Sequence, residues 1–177
     1  MLSLGRDHEV EAVVQVAQRM CIAARTAPKA RGADNLVTAI LTAGPEKDAL
    51  LAEMKRYGDE INTPFFLRDA ANLEASEACV LLGTRLQRLG IPGCNFCGYP
   101  GCAANEEAGG RCAYNAGDLG LAVGSAVSVA ADCRVDSRVM YSVGISAVNL
   151  QLLGPEVKIA FGIPLSVTGK SPFFDRK

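Results

Sequence analysis

Val10, Val13, Val14, Ala17, Met20, Cys21 and Ala24 recur every three or four positions, with polar residues between them. That spacing predicts an amphipathic helix over residues 6–24 with one apolar stripe. A basic loop with Gly and Pro follows at 25–35 (RTAPKARGADN), and the apolar run at 36–42 predicts a strand. Gly44-Pro45 opens a second helix, which Gly58 is expected to stop near Tyr57. Residues 62–74 (NTPFFLRDAANLE) fit no single pattern. Residues 78–82 (ACVLL) read as a short buried strand closed by Gly83. The segment 115–132 is apolar on nearly all sides and predicts a central, buried helix. Its small residues, Gly120 and Gly124 among them, would let another helix approach closely, within one subunit or between two. Asp136 is placed to cap a further helix to about Leu152, burying Val139, Met140, Val143, Ala147 and Leu150. Residues 157–165 (VKIAFGIPL) predict a strand ending at a proline, before a polar tail. No repeat or linker interrupts the chain, so the pattern predicts one α+β domain over 1–177.

The 177 residues suffice for a sizeable core, and 49 % of them are apolar,. Net charge is −1, Trp is absent and aromatics are few. Neither nucleic acid nor an anionic membrane is therefore an expected partner. Residues 1–10 are polar and show no secretory signal, and the run 119–131 is too short to span a bilayer. These features predict a cytoplasmic protein.

There the seven cysteines are better suited to thiolate ligation and packing than to disulfides,. Four of them, Cys94, Cys97, Cys102 and Cys112, fall within nineteen residues, inside a glycine-rich loop at 89–112. Soft thiolate sulfur suits iron–sulfur clusters, and three ligands close in sequence can wrap one face of a cubane that a fourth closes. Structural zinc also takes four thiolates, usually from two Cys-x-x-Cys knuckles, and only one is present. Unligated or redox-sensing thiols are the third alternative. Cys21, Cys79 and Cys133 read as small core residues, with Cys133 the spare ligand should Cys112 not serve.

Arg25, Lys29 and Arg31 can hold a phosphate or carboxylate by charge-assisted hydrogen bonds, and Lys170 in Thr168-Gly169-Lys170 is a second candidate for the same anion. A solvated loop is the simpler reading of the same charges. His8, the single histidine, is expected to be exposed. Asp69, Asp118 and Asp136 could act as acids, but each has a simpler role as cap or surface charge. With so few acid–base groups, a cofactor would carry the chemistry. That favours electron transfer over hydrolysis.

Three resemblances add to this. Cys94, Cys97-Gly98-Tyr99 and Cys102 resemble the short iron–sulfur domain of membrane electron-transport and corrinoid proteins, although the gap to Cys112 is shorter here. Across nearly the whole chain, segments such as ARTAPKARGADNL, FFLRDAANLEAS, GGRCAYNAGDLGLAVGSAVSVAAD and FGIPLSVTGKSPFFDRK resemble a prokaryotic family of uncharacterised proteins with a ferredoxin domain. This implies an iron–sulfur cluster, of 4Fe-4S type, held by the four cysteines. The order helix, Ala27-Pro28, Asn35, strand, and the later Gly162-Ile163-Pro164, is similar to flavin-dependent nitroreductases. That resemblance implies a mixed sheet flanked by helices, with the Cys loop inserted, a homodimer, and FMN. Arg25, Lys29, Arg31 and Lys170 would then face the flavin phosphate. Those proteins carry an Arg-rich motif before the first helix, where this chain has only Arg6. The expectation is an oxidoreductase or electron-transfer protein serving a redox partner protein or a small-molecule acceptor, with a zinc-pinned interaction module as the alternative.

Overall fold

The computed structural model describes residues 6–174. The first stripe becomes α1 (Asp7–Thr26), and a 3-10 turn (Ala30–Gly32) leads into β1 (Leu36–Leu41). Two helices, α2 (Pro45–Glu60) and α3 (Phe65–Glu74), come before β2 (Ala78–Arg85). Beyond residues 86–101 lie α4 (Cys102–Glu107) and α5 (Ala113–Asp132). The chain then forms β3 (Asp136–Ser137), α6 (Tyr141–Asn149) and β4 (Val157–Ser166).

The fold is α+β, around a sheet of order β1-β2-β4-β3. Every pairing among the described strands is antiparallel, whereas a mixed sheet was implied. The connection explains this for β1 and β2. One crossover helix would bring the chain back for a parallel strand. Two successive helices, α2 and α3, leave it at the opposite end, so β2 runs against β1.

β2 sits between β1 and β4 and is buried on both faces. Ala78, Val80 and Leu82 point to one side, where Ile163, Leu165 and the apolar faces of α1 and α5 complete a core. Cys79 and Leu81 point to the other, where Leu50, Met54, Leu73, Val143 and Ala147 from α2, α3 and α6 form a second core. Each fully buried Leu or Met contributes about 1.5–3 kcal/mol. No helix among the described residues is long and apolar enough to cross a membrane.

Several expectations change. Gly58 does not stop α2. The helix runs through it, because a Cβ there would stand 2.6 Å from Phe66 Cβ and α3 needs that space. Gly83 does not close β2 either, for a Cβ would meet Val157 Cγ1 at 2.6 Å. The ambiguous 62–74 segment yields α3. Val16 replaces Val10 in the stripe of α1, and Val10 is exposed. Asp136 lies in a strand rather than at a helix cap, and Val139 and Leu150 are exposed. α5 leaves a face open: Gly120, Leu121 and Gly124 are exposed, and nothing packs against either glycine. The tail is not merely polar, since Phe173 is buried in the second core and its carbonyl accepts a 2.7 Å bond from Arg138.

Candidate metal centre

β2 delivers the chain to the cysteine segment, and two asparagines hold it there. The Gln87 amide donates to Asn115 Oδ1 on the first turn of α5 at 3.1 Å. Arg88 Nε donates to Asn105 Oδ1 on α4 at 2.7 Å. Asn105 is 1 % exposed, and its Nδ2 donates to the Arg111 carbonyl at 3.0 Å, just before Cys112. One buried amide therefore ties the entry to the loop, the helix that begins at Cys102 and the return to Cys112. Gly110 permits it, since a Cβ there would stand 2.6 Å from Asn105 Nδ2. Gly98, with φ of +82°, turns the backbone after Cys97 at little cost,.

Cys94, Cys97, Cys102 and Cys112 all line one cavity of about 300 Å³ of atom-free space, part of it open to solvent. Arg88 and Asn105 line it too, with Phe96 and Tyr114. Those two rings stack at 5.4 Å, and Phe96 is 73 % exposed. All seven cysteines are free thiols. Among the described residues, no group of three or more His, Cys, Asp or Glu side chains is arranged to hold a metal ion. Nothing in the loop's sequence marked Arg88, Asn105, Phe96 or Tyr114 as partners of the thiols. Their closeness to the cysteines in the chain was the one available signal.

The spare thiol stands far away. Cys112 precedes α5 and Cys133 follows it. A 20-residue helix separates them, about 30 Å at 1.5 Å per residue,. Cys133 and Cys21 pack against the first core, and Cys79 is 1 % exposed. Burial pushes the Cys79 thiol up to about 12, against the Ile163 backbone and the Lys47 charge, which both pull it down. Lys47 is itself buried, with its ammonium on the Glu74 and Ser76 carbonyls at 3.1 and 2.8 Å. Burial lowers its pKa.

The basic residues divide between two places. Lys29 Nζ donates to the carbonyls of Ala24, Arg25 and Ala27 at 2.7–3.1 Å and so closes the end of α1. Arg25 bonds Asp34 at 2.6 Å and the Leu36 carbonyl at 2.8 Å. Arg31, with φ of +57°, donates to the Leu89 carbonyl at 2.6 Å. These bonds fasten the basic loop to its own backbone and to the start of the cysteine loop. Lys170 follows Thr168 and Gly169, which line a separate open groove with Arg6, Arg134 and Asp136. Arg6 pairs with Glu77 and donates to the Val167 carbonyl at 2.8 Å. His8 is exposed. Asp118 accepts from the Ala30 amide, and Asp69 is buried rather than a cap or surface charge.

Comparison with known proteins supplies context. Residues 108–176 match the model of a family described as "Uncharacterized protein containing a ferredoxin domain (DUF2148)". That stretch takes in Cys112 but none of the other three clustered cysteines. An uncharacterised protein of Archaeoglobus fulgidus is 36 % identical over 184 positions, covering 99 % of this chain and 98 % of its own. Among solved structures, an oxidoreductase containing FMN superposes with a TM-score of 0.60 at 10 % identity, over 88 % of this chain and 67 % of the other. A putative nitroreductase in complex with FMN, from Desulfovibrio desulfuricans, gives 0.59 at 13 % identity, over 92 % and 78 %. At such identities the likeness establishes a shared nitroreductase-like fold.

Proposed function

This chain belongs to the family of uncharacterised proteins containing a ferredoxin domain, and from that membership we propose that it is a cytoplasmic redox protein. Cys94, Cys97, Cys102 and Cys112 hold one iron–sulfur cluster, of 4Fe-4S type. The observation that carries this reading is that all four thiols line a single cavity. The donor set fits the group, since four thiolates are what such a cluster takes. Structural zinc usually takes its four thiolates from two Cys-x-x-Cys knuckles, and this loop has one,.

When bound, the cluster accepts and donates single electrons. The chain's own residues do the rest. The glycine-rich backbone wraps the thiols, Asn105 fixes the two ends of the loop, and Phe96 with Tyr114 covers part of the mouth. A redox protein or a small-molecule acceptor is the other party. Purification without oxygen, followed by iron, sulfide and visible-absorbance analysis, tests the proposal. A brown protein with stoichiometric iron and sulfide is expected. Colourless protein that takes up neither after anaerobic reconstitution sinks it, and stoichiometric zinc alone in protein kept anaerobic throughout selects the zinc module.

A second reading has one observation in its favour. The structure brings Arg6 beside the Thr168-Gly169 turn that leads to Lys170, and two structural neighbours are described with FMN. In this reading Arg6 and Lys170 face a flavin phosphate. Arg25, Lys29 and Arg31 could join them only by giving up the backbone bonds they now make. Such a protein would act as a homodimeric oxidoreductase. Retention of added FMN through gel filtration, read by flavin fluorescence after heating, supports it. Complete loss of FMN on the column counts against it.

A further inference from the structure

Among the described residues, Arg88 is the one cation that lines the thiol cavity. Its side chain is 17 % exposed, and its firmest partners are neutral. They are Asn105 Oδ1 at 2.7 Å, the Asn105 carbonyl at 3.4 Å and the Gly110 carbonyl at 3.3 Å. Its carboxylate partner among the described residues, Glu106, stands 3.4 Å away and is 74 % exposed. A guanidinium this enclosed is costly unless an anion faces it. Glu106, largely in water, compensates only weakly. The four cysteines across the cavity supply the missing negative charge once they are thiolates.

We propose that Arg88 is the counter-charge of the metal centre, held in place by Asn105, and that it favours the reduced form of the cluster. This rests on the iron–sulfur reading above. Reduction adds one electron, and so one negative charge, to a centre already negative from its thiolates. No bond forms or breaks, and no proton moves. A cation nearby, in a partly desolvated site, stabilises the more negative form.

The test is a potentiometric titration with dithionite as the one-electron donor, followed by electron paramagnetic resonance. It uses anaerobically reconstituted full-length protein with iron and sulfide measured on each sample. For Arg88→Met, the reduced-to-oxidised ratio at fixed potential should fall about tenfold, a midpoint lower by about 59 mV. Arg88→Lys, which keeps the charge, should stay within about threefold of wild type. Glu106→Gln leaves the cavity lining intact and removes the partial offset, so its ratio should rise about twofold. Fully loaded Arg88→Met with an unmoved midpoint overturns the role, as does Arg88→Lys shifting as far as Arg88→Met. If Arg88→Met fails to load, an unmoved Glu106→Gln midpoint overturns it. Wild-type protein that takes up no iron and sulfide defeats the cluster, and this role with it. A loaded wild type with insensitive variants defeats this role alone.

Discussion

Ser142 donates its hydroxyl to Asp69 Oδ2 at 2.6 Å, joining α6 to α3 on the side of the sheet where the second core lies. Both residues are buried, at 0 % and 4 % exposure, and Arg68 covers the other Asp69 oxygen at 2.7 Å. The carboxylate is therefore a structural brace rather than a free acid. Ser142→Ala should cost about 1–3 kcal/mol, because a buried charged acceptor loses a partner. Urea unfolding would read this as a lower midpoint at unchanged slope. A midpoint equal to wild type would show that the bond contributes nothing.

Gly144 and Gly120 should respond oppositely to the same substitution. A Cβ on Gly144 would stand 1.9 Å from the Ala160 carbonyl oxygen, where α6 lies directly on β4. Gly144→Ala should destabilise by about 3 kcal/mol, or lower the melting temperature by roughly 10 °C. Gly120 faces open space on α5, so Gly120→Ala should gain up to about 1 kcal/mol from helix propensity,. Thermal unfolding of the two variants side by side checks the close approach independently of the cofactor.

Alkaline stability should depend on Cys79. Below about pH 9 its thiol keeps the proton in folded and unfolded chains alike. Above that the unfolded chain releases the proton, while burial holds it in the folded chain up to about 12. The unfolded state then binds fewer protons, so stability falls as pH rises, by at most about 1.4 kcal/mol per pH unit. Cys79→Ala should flatten that decline between pH 9 and 12 relative to wild type, even though it weakens the core at every pH. Parallel slopes for the two proteins would contradict this.

Cys112 and Cys133 separate ligation from packing. Cys112→Ser should cut the iron retained after anaerobic desalting by more than half, since the cavity loses its closing thiol. Cys133→Ser, at the far end of α5, should retain as much iron as wild type. Equal loss in both variants would mean that the four-cysteine assignment is wrong.

Much of this was legible in the sequence where the apolar period was long. The stripe of α1, the apolar α5 and the buried β2 all emerged from spacing. Two of the misreadings share one cause, in that local rules treat glycine as a stop. At Gly58 and Gly83 the chain continues, and the missing Cβ makes room for Phe66 on α3 and Val157 on β4, contacts set by how the elements pack rather than by the local pattern. α3 was hidden because its adjacent aromatics blur the helical period. In the site, the four clustered cysteines singled out by their spacing all line one cavity. Arg88 and Asn105 carried no such mark, since their meeting depends on how α4 folds back on the entry strand. The basic loop looked like an anion site because charge is visible in a sequence, whereas the carbonyls that engage it are not.

The two hydrophobic cores draw no residue from between Leu82 and Leu119, and the whole cysteine segment lies in that interval. On the iron–sulfur reading, the residues that pack the scaffold and the residues that would hold the cluster are separate sets. The domain would therefore fold whether or not the loop is loaded, and iron shortage would leave a folded apoprotein rather than a misfolded chain.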